Sequence, residues 1–254
     1  MYSDFHVHSR FSFDSDEDPN NNILKAIDLG MDSICFTEHM DIDWPVEGED
    51  ATFDYDDYSN AIDLYRNRYR DKIKIYKGVE LGLWEKNIDK NIDYLKNHDF
   101  DYVIGSCHLV NDMDPYYPKF WEKDDEDKLV KLFLSTTLNC LKDFSNVNTL
   151  GHLDYIIRYA TNLKNNYRPC EFKDLIYPIL EFIKENDIAL EINTGNFKSG
   201  LDFPNPHYDI WDMYKEIGGK FIQIGSDAHS CNYVGQKFDL IAEKLAKYDF
   251  EIIR

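Results

Sequence analysis

Seven short apolar runs recur along the chain, MYSDFHV, DSICFT, IKIYKGVEL, DYVIGSC, VNTLGHL, IALEIN and FIQIGS, with amphipathic segments between most of them. Apolar runs of this length bounded by turn residues read as strands, and the longer periodic segments between them read as helices. Helices are predicted over 20–29, 55–69, 87–98, 125–144, 171–185, 207–217 and 236–246, several opening after Asp, Asn or Pro. Strand–helix alternation predicts a parallel sheet covered by helices on its outer side. An open doubly wound sheet usually carries a glycine-rich phosphate loop after its first strand, and HVHSRFSFD is no such loop. The pattern therefore predicts a closed or distorted barrel of seven strand–helix units.

No repeat, low-complexity tract or Pro/Ser-rich linker divides the 254 residues, so one domain over 1–254 is expected. Lysine and arginine total 28 against 48 acidic residues, a net charge of −20. Such a surface repels a polyanion and has no basic block, which excludes a nucleic-acid binder and favours a small-molecule partner. Five cysteines stand singly, without zinc-ribbon or disulfide-framework spacing, as in a reducing cytosol. No basic region followed by an apolar core opens the chain and no run approaches the length of a membrane span, so a cytoplasmic protein is expected. Monomer and dimer stay equally open. The acidic stretches 14–18 and 47–57 read as exposed loops or helix starts.

Residues of metal-ligand type fall at the carboxyl ends of the predicted strands, the face on which α/β barrels build active sites. His6 and His8 end the first run with one residue between them, so in an extended chain both imidazoles project to one side and can share an ion. His39 closes ICFTEH, Glu80 closes YKGVE, His108 closes VIGSCH and His152 closes TLGH. Asp227 and His229 follow the last run in IQIGSDAH and repeat the first spacing. With Asp14 these make nine candidate ligands. Glu80 needs a cation or donors to offset its desolvation at the end of an apolar strand. His98, near a helix end, and His207, after a Pro-Asn-Pro turn, read as structural, and Cys107 reads as a packing residue.

The motifs HVHSRFSFD, TEH, GVE, SCH, GHLD and SDAH, in this order and spacing, resemble the PHP (polymerase and histidinol phosphatase) superfamily and, within it, the histidinol phosphatases. The resemblance runs over nearly the whole chain. It implies a distorted TIM-like (β/α)7 barrel with a trinuclear divalent-metal site, of zinc, manganese or iron, at the C-terminal face of the strands. Carried over by motif, His6, His8, Glu80 and Asp227 hold the first metal, and Glu80 bridges to a second held by His108 and His152. Asp14, His39 and His229 hold the third. Family members often carry histidine where this chain has Asp14, and both residue types ligate these metals. The implied reaction is hydrolysis of L-histidinol phosphate to L-histidinol and phosphate, a step of histidine biosynthesis.

Clustered metals neutralise phosphoryl charge and generate an attacking hydroxide near neutral pH, so no protein nucleophile is required. Arg158 in DYIIRY, Lys198 in TGNFKSG and Arg10 offer further positive charge for a phosphate. The family's basic residues after the fifth and sixth strands favour the first two. Asp227 or His229 beside Glu80 is placed to protonate the leaving alkoxide, with a metal-bound water as the other source. Another small monoester, a nucleotide, sugar phosphate or phosphotyrosine, is the alternative substrate. A metal-dependent amidohydrolase tends to carry lysine where this chain has Glu80, and a non-catalytic metal-binding module would have lost ligands, so both rank lower.

Overall fold

A computed structural model describes residues 3–253. Eight strands, β1 (Ser3–Val7), β2 (Ser33–Met40), β3 (Lys74–Gly82), β4 (Tyr102–Ser106), β5 (Thr149–Leu150), β6 (Ala189–Asn193), β7 (Phe221–Gly225) and β8 (Glu251–Ile252), form one parallel sheet in sequence order. Among the described residues eight α-helices accompany them: α1 (Pro19–Asp28), α2 (Tyr55–Tyr69), α3 (Ile88–Asn97), α4 (Pro118–Trp121), α5 (Glu126–Asp143), α6 (Lys173–Glu185), α7 (Tyr208–Glu216) and α8 (Phe238–Leu245). The expected (β/α) alternation is present. The short α4 and the two-residue β8 were not foreseen.

The sheet curls until its carboxyl end closes on itself. Past the end of β7, the Asp227 N–H donates to the His6 carbonyl at 2.8 Å and the His8 N–H donates to the Ala228 carbonyl at 2.9 Å. These two bonds join β1 to the chain leaving β7 and give seven strands a barrel-like mouth, while β8 pairs only with the amino end of β7. Asp227 takes a left-handed backbone, φ 55°, which a non-glycine residue adopts only when its surroundings over-determine it.

The acidic stretches serve as helix starts. The Asp18 carboxylate caps α1 by accepting from the Asn20 N–H, with Pro19 at the first helical position, and Asp54 caps α2 by accepting from the Asp57 N–H. Each cap satisfies an orphan N–H and opposes the positive end of the helix dipole. Apolar faces of the helices then cover the strands; α5 alone buries Leu129, Val130, Phe133, Leu134 and Leu141. Burial of such side chains supplies about 1.5–3 kcal/mol each, which makes the barrel wall a rigid support for what projects from its mouth.

Candidate metal centre

Glu80 is the hub. The β2–β3 register sets His39 beside it, and strand ends around the mouth bring four more histidines to it. Glu80 Oε2 lies 3.1 Å from His6 Nε2, 3.2 Å from His39 Nδ1 and 3.4 Å from His8 Nε2. Its Oε1 lies 2.8 Å from His152 Nε2 and 3.3 Å from His108 Nε2. Asp227 Oδ1 stands 3.6 Å from His8 Nε2 and 3.9 Å from His6 Nε2. At the outer edge, Asp14 Oδ2 is 2.9 Å from His229 Nε2 and 3.7 Å from His39 Nε2. All nine residues singled out from the sequence as candidate ligands thus share one site.

A hydrogen-bonded network does not account for this cluster. His6 Nε2, His8 Nε2, His39 Nδ1 and Glu80 Oε2 are buried without a hydrogen-bond partner, although they face one another. Buried polar atoms are almost always paired, and each orphan costs roughly 1–3 kcal/mol. Shared cations satisfy these atoms together. Four groups of ligand atoms, each within 4.8 Å, suit such ions: His6, His8 and Glu80; Glu80, His108 and His152; His8, His39 and His229; and His39, Asp41 and His108. An imidazole and carboxylate donor set fits zinc, manganese or iron.

The electrostatics of the metal-free cluster are uneven. Burial works against charge on His6, but Glu191 and Glu80 outweigh it and hold its pKa well above the usual range. Burial together with His229 and His39 drives His8 well below it. Burial also opposes ionisation of Glu80, yet His6, His39 and His108 keep its pKa well below the carboxylate range. Asp227 is depressed in the same way, burial being overcome by His6, Lys198, His229 and Arg158.

Outer partners fix the imidazoles. His6 Nδ1 meets Glu191 Oε1 at 2.5 Å, and His108 Nδ1 meets Asp41 Oδ1 at 2.8 Å. Such carboxylates orient a ligand histidine and increase its basicity. The cluster opens into a cavity of about 340 Å³ lined also by Arg158, Asp114, Glu49 and the rings of Trp44, Tyr116, Tyr117, Tyr155 and Tyr159. Arg158 is held by the amide oxygens of Asn196 and Asn205, each at 3.3 Å, and by Asp227 Oδ2 at 3.5 Å. Gly195 leaves room for this, since a Cβ there would come within 2.8 Å of the guanidinium and 2.9 Å of Asp227 Oδ2. Lys198 reaches the edge of the site differently, donating to the Asp227 carbonyl at 2.7 Å. Arg10 is not brought in: exposed on the loop after β1, it approaches Asp18 at 3.8 Å and does not line the cavity.

The sequence matches the PHP domain family over residues 4–195, three quarters of the chain. This chain belongs to the PHP domain family. Among curated relatives, a protein named probable histidinol-phosphatase from Clostridium acetobutylicum is 35% identical over 243 residues, covering 94% of this chain and 90% of its own. A histidinol-phosphatase from Lactococcus lactis is 33% identical over 230 residues, covering 89% and 83%. The crystal structure of a Lactococcus lactis histidinol phosphate phosphatase complexed with zinc, L-histidinol and phosphate superposes with a TM-score of 0.87 at 30% identity, covering 99% of this chain and 95% of that one.

Within the PHP barrel, His98 and His207 lie off the centre. His98 Nδ1 bonds the Tyr94 carbonyl at 2.9 Å, and His207 caps α7 by accepting from the Asp209 N–H. Cys107 is buried in the core and burial pushes its thiol up to about 11, which suits packing and not nucleophilic attack. Sequence reasoning missed Asp41, Glu191 and Glu38. Asp41 stands two residues past His39, the spacing that had marked His6 and His8, and Glu191 interrupts an apolar strand as Glu80 does. The same two signals would have found Asp41 and Glu191.

Proposed function

We propose that the protein is a histidinol-phosphatase, a single domain over residues 1–254 that hydrolyses L-histidinol phosphate to L-histidinol and phosphate in cytoplasmic histidine biosynthesis. The observation that carries this reading is the Glu80 hub with its five imidazole nitrogens, opening on a cavity that also presents Arg158. We assign His6, His8, Glu80 and Asp227 to one metal, Glu80, His108 and His152 to a second, and Asp14, His39 and His229 to a third. Bound divalent metals supply Lewis acidity, neutralising phosphoryl charge and lowering the pKa of water.

The chain's own groups do the rest. A chain of net charge −20 repels a phosphate dianion everywhere except where cations are held, so Arg158 is the protein's own contribution to binding it. Lys198 anchors the backbone of the Asp227 loop. Asp227, kept ionised by its cationic neighbours, serves as a charged ligand and is no proton donor. In the metal-free cluster burial lowers the pKa of His229 but Asp14 and Asp227 raise it above the usual value; as a ligand of the third metal it is not free to donate, so we assign protonation of the departing alkoxide to water. Asp114, Glu49 and the aromatic rings on the cavity wall suit a leaving group carrying an ammonium and an imidazole, through charge and ring-face contacts.

The test is phosphate release by protein stripped with chelator and reloaded with zinc, manganese or iron. Expected is no turnover in the stripped protein, recovery on reloading, and a kcat/KM for L-histidinol phosphate at least ~100-fold above those for p-nitrophenyl phosphate, glucose 6-phosphate, AMP and phosphotyrosine. Equal rates on all esters would leave a phosphatase without this substrate.

Asp114 gives a separable prediction. Burial pushes its carboxyl up to about 6 from an ordinary 3.8. A raised folded-state pKa means that the native state binds the proton more tightly, so this stabilisation is present below about pH 4 and is lost as pH rises towards 6. Ionised Asp114 therefore costs the metal-free protein roughly 3 kcal/mol at neutral pH. Asp114→Asn is expected to raise the melting temperature of stripped protein by several degrees at pH 7.5, a gain that closes as pH falls to 4. KM for L-histidinol phosphate should rise about tenfold, with little change for p-nitrophenyl phosphate. A melting gain without the KM split would remove Asp114 from leaving-group recognition.

A further inference from the structure

Ser12 and Glu38 lie on the Nδ1 side of His8, away from the Nε2 that faces Glu80. Both are buried, and the Ser12 hydroxyl has three polar neighbours: Glu38 Oε2 at 2.7 Å, the His39 N–H at 3.0 Å and His8 Nδ1 at 3.0 Å. Glu38 also takes the Ser9 N–H at 2.9 Å and the Ser9 hydroxyl at 2.5 Å, so every polar contact it makes is with a donor.

A hydroxyl has one proton and two lone pairs. The Ser12 proton goes to Glu38, and one lone pair accepts the His39 N–H. The second lone pair faces His8 Nδ1, and that contact is attractive only when Nδ1 carries the ring hydrogen. His8 Nε2 is then a bare lone pair, and Nε2 is the atom left buried without a hydrogen-bond partner among Glu80 and Asp227. We infer that Ser12 and Glu38 are positioning residues which lock His8 in its Nδ1–H tautomer and so present Nε2 to a divalent cation. This rests on the metal-centre reading above.

The comparison with its neighbours gives the arrangement a purpose. His6 and His108 are oriented by carboxylates placed directly on Nδ1. At His8 a neutral hydroxyl stands between ring and carboxylate, which fixes the tautomer while keeping one more negative charge away from the imidazole. The same hydroxyl accepts from His39, so one side chain sets the backbone of one candidate ligand and the ring of another.

The experiment measures zinc affinity by chelator competition and the His8 tautomer by long-range nitrogen–proton NMR of imidazole-labelled, metal-free protein. Ser12→Ala is expected to weaken zinc binding about 10–100-fold and to replace the single Nδ1–H form of His8 by a mixture. Ser12→Thr, which restores the hydroxyl, should return affinity to within about threefold of wild type. Glu38→Ala should act in the same direction, and adding it to Ser12→Ala should cost nothing more, because both break one chain of hydrogen bonds. Wild-type zinc affinity and an unchanged tautomer in Ser12→Ala overturn the relay alone; a wild-type protein that takes up no zinc overturns the metal reading with it. Should Glu38→Ala not fold, the Ser12→Ala and Ser12→Thr pair decides.

Discussion

Glu80→Gln is expected to yield a folded protein with less than about a thousandth of wild-type kcat/KM on phosphate monoesters, a barrier increase of roughly 4 kcal/mol or more. The substitution keeps the volume of the side chain and removes its charge. Five imidazole nitrogens within 3.4 Å then surround a neutral amide, which can neither neutralise two cations nor bridge them. Metal content measured by mass spectrometry should fall with the activity, by at least one ion per chain. Melting of chelator-stripped wild type and variant separates loss of metal from loss of fold. Retention of activity within tenfold, with full metal content, would sink the bridging role.

The ease with which this hub could be picked out depends on where its residues sit in the chain. Strands buried on both faces read as continuous apolar runs, so a His or Glu closing such a run is conspicuous, and His39, Glu80, His108 and His152 all announce themselves in this way. Parallel strands then force those ends to one face, which is why local pattern sufficed to assemble a site from residues more than 200 positions apart. Strand alternation says that neighbouring side chains diverge, but not which of them faces the cluster. Glu38 and His39 are adjacent in β2, yet one points to the Ser9–Ser12 turn and the other to the cluster. Arg10 and Arg158 are both cations near strand ends, and only packing distinguishes the one beside Asp18 from the one lodged against Asp227. The short β5 shows the same limit. VNTLGHL reads as a long strand, but only Thr149–Leu150 pairs, because the chain must turn at once to deliver His152 and the helical turn that carries Arg158.

Arg158→Ala is expected to lower kcat/KM for any phosphate monoester about 100–1000-fold, with metal content unchanged. Two features make this arginine more than one basic residue among several. Its partners Asn196 and Asn205 are neutral amides, and the carboxylate that it approaches among the described residues, Asp227, also faces His6, His8 and His229, so its charge is only partly matched. Its position is set from behind: Asp154 accepts from Asn205 Nδ2 at 2.7 Å and from the His207 N–H at 2.9 Å, and the guanidinium lies over the Tyr155 ring at 5.3 Å. A cation fixed in this way pays little to reorganise when phosphoryl oxygens arrive, and charge-assisted hydrogen bonds to them amount to about 3–4 kcal/mol. Arg158→Lys should recover little, because an ammonium cannot reproduce the planar fork. With Arg158 receiving the phosphoryl group, the loss should be similar for L-histidinol phosphate and p-nitrophenyl phosphate, opposite to the selective effect of Asp114→Asn. A loss confined to L-histidinol phosphate would instead place Arg158 on the leaving group and require another residue to receive the phosphate.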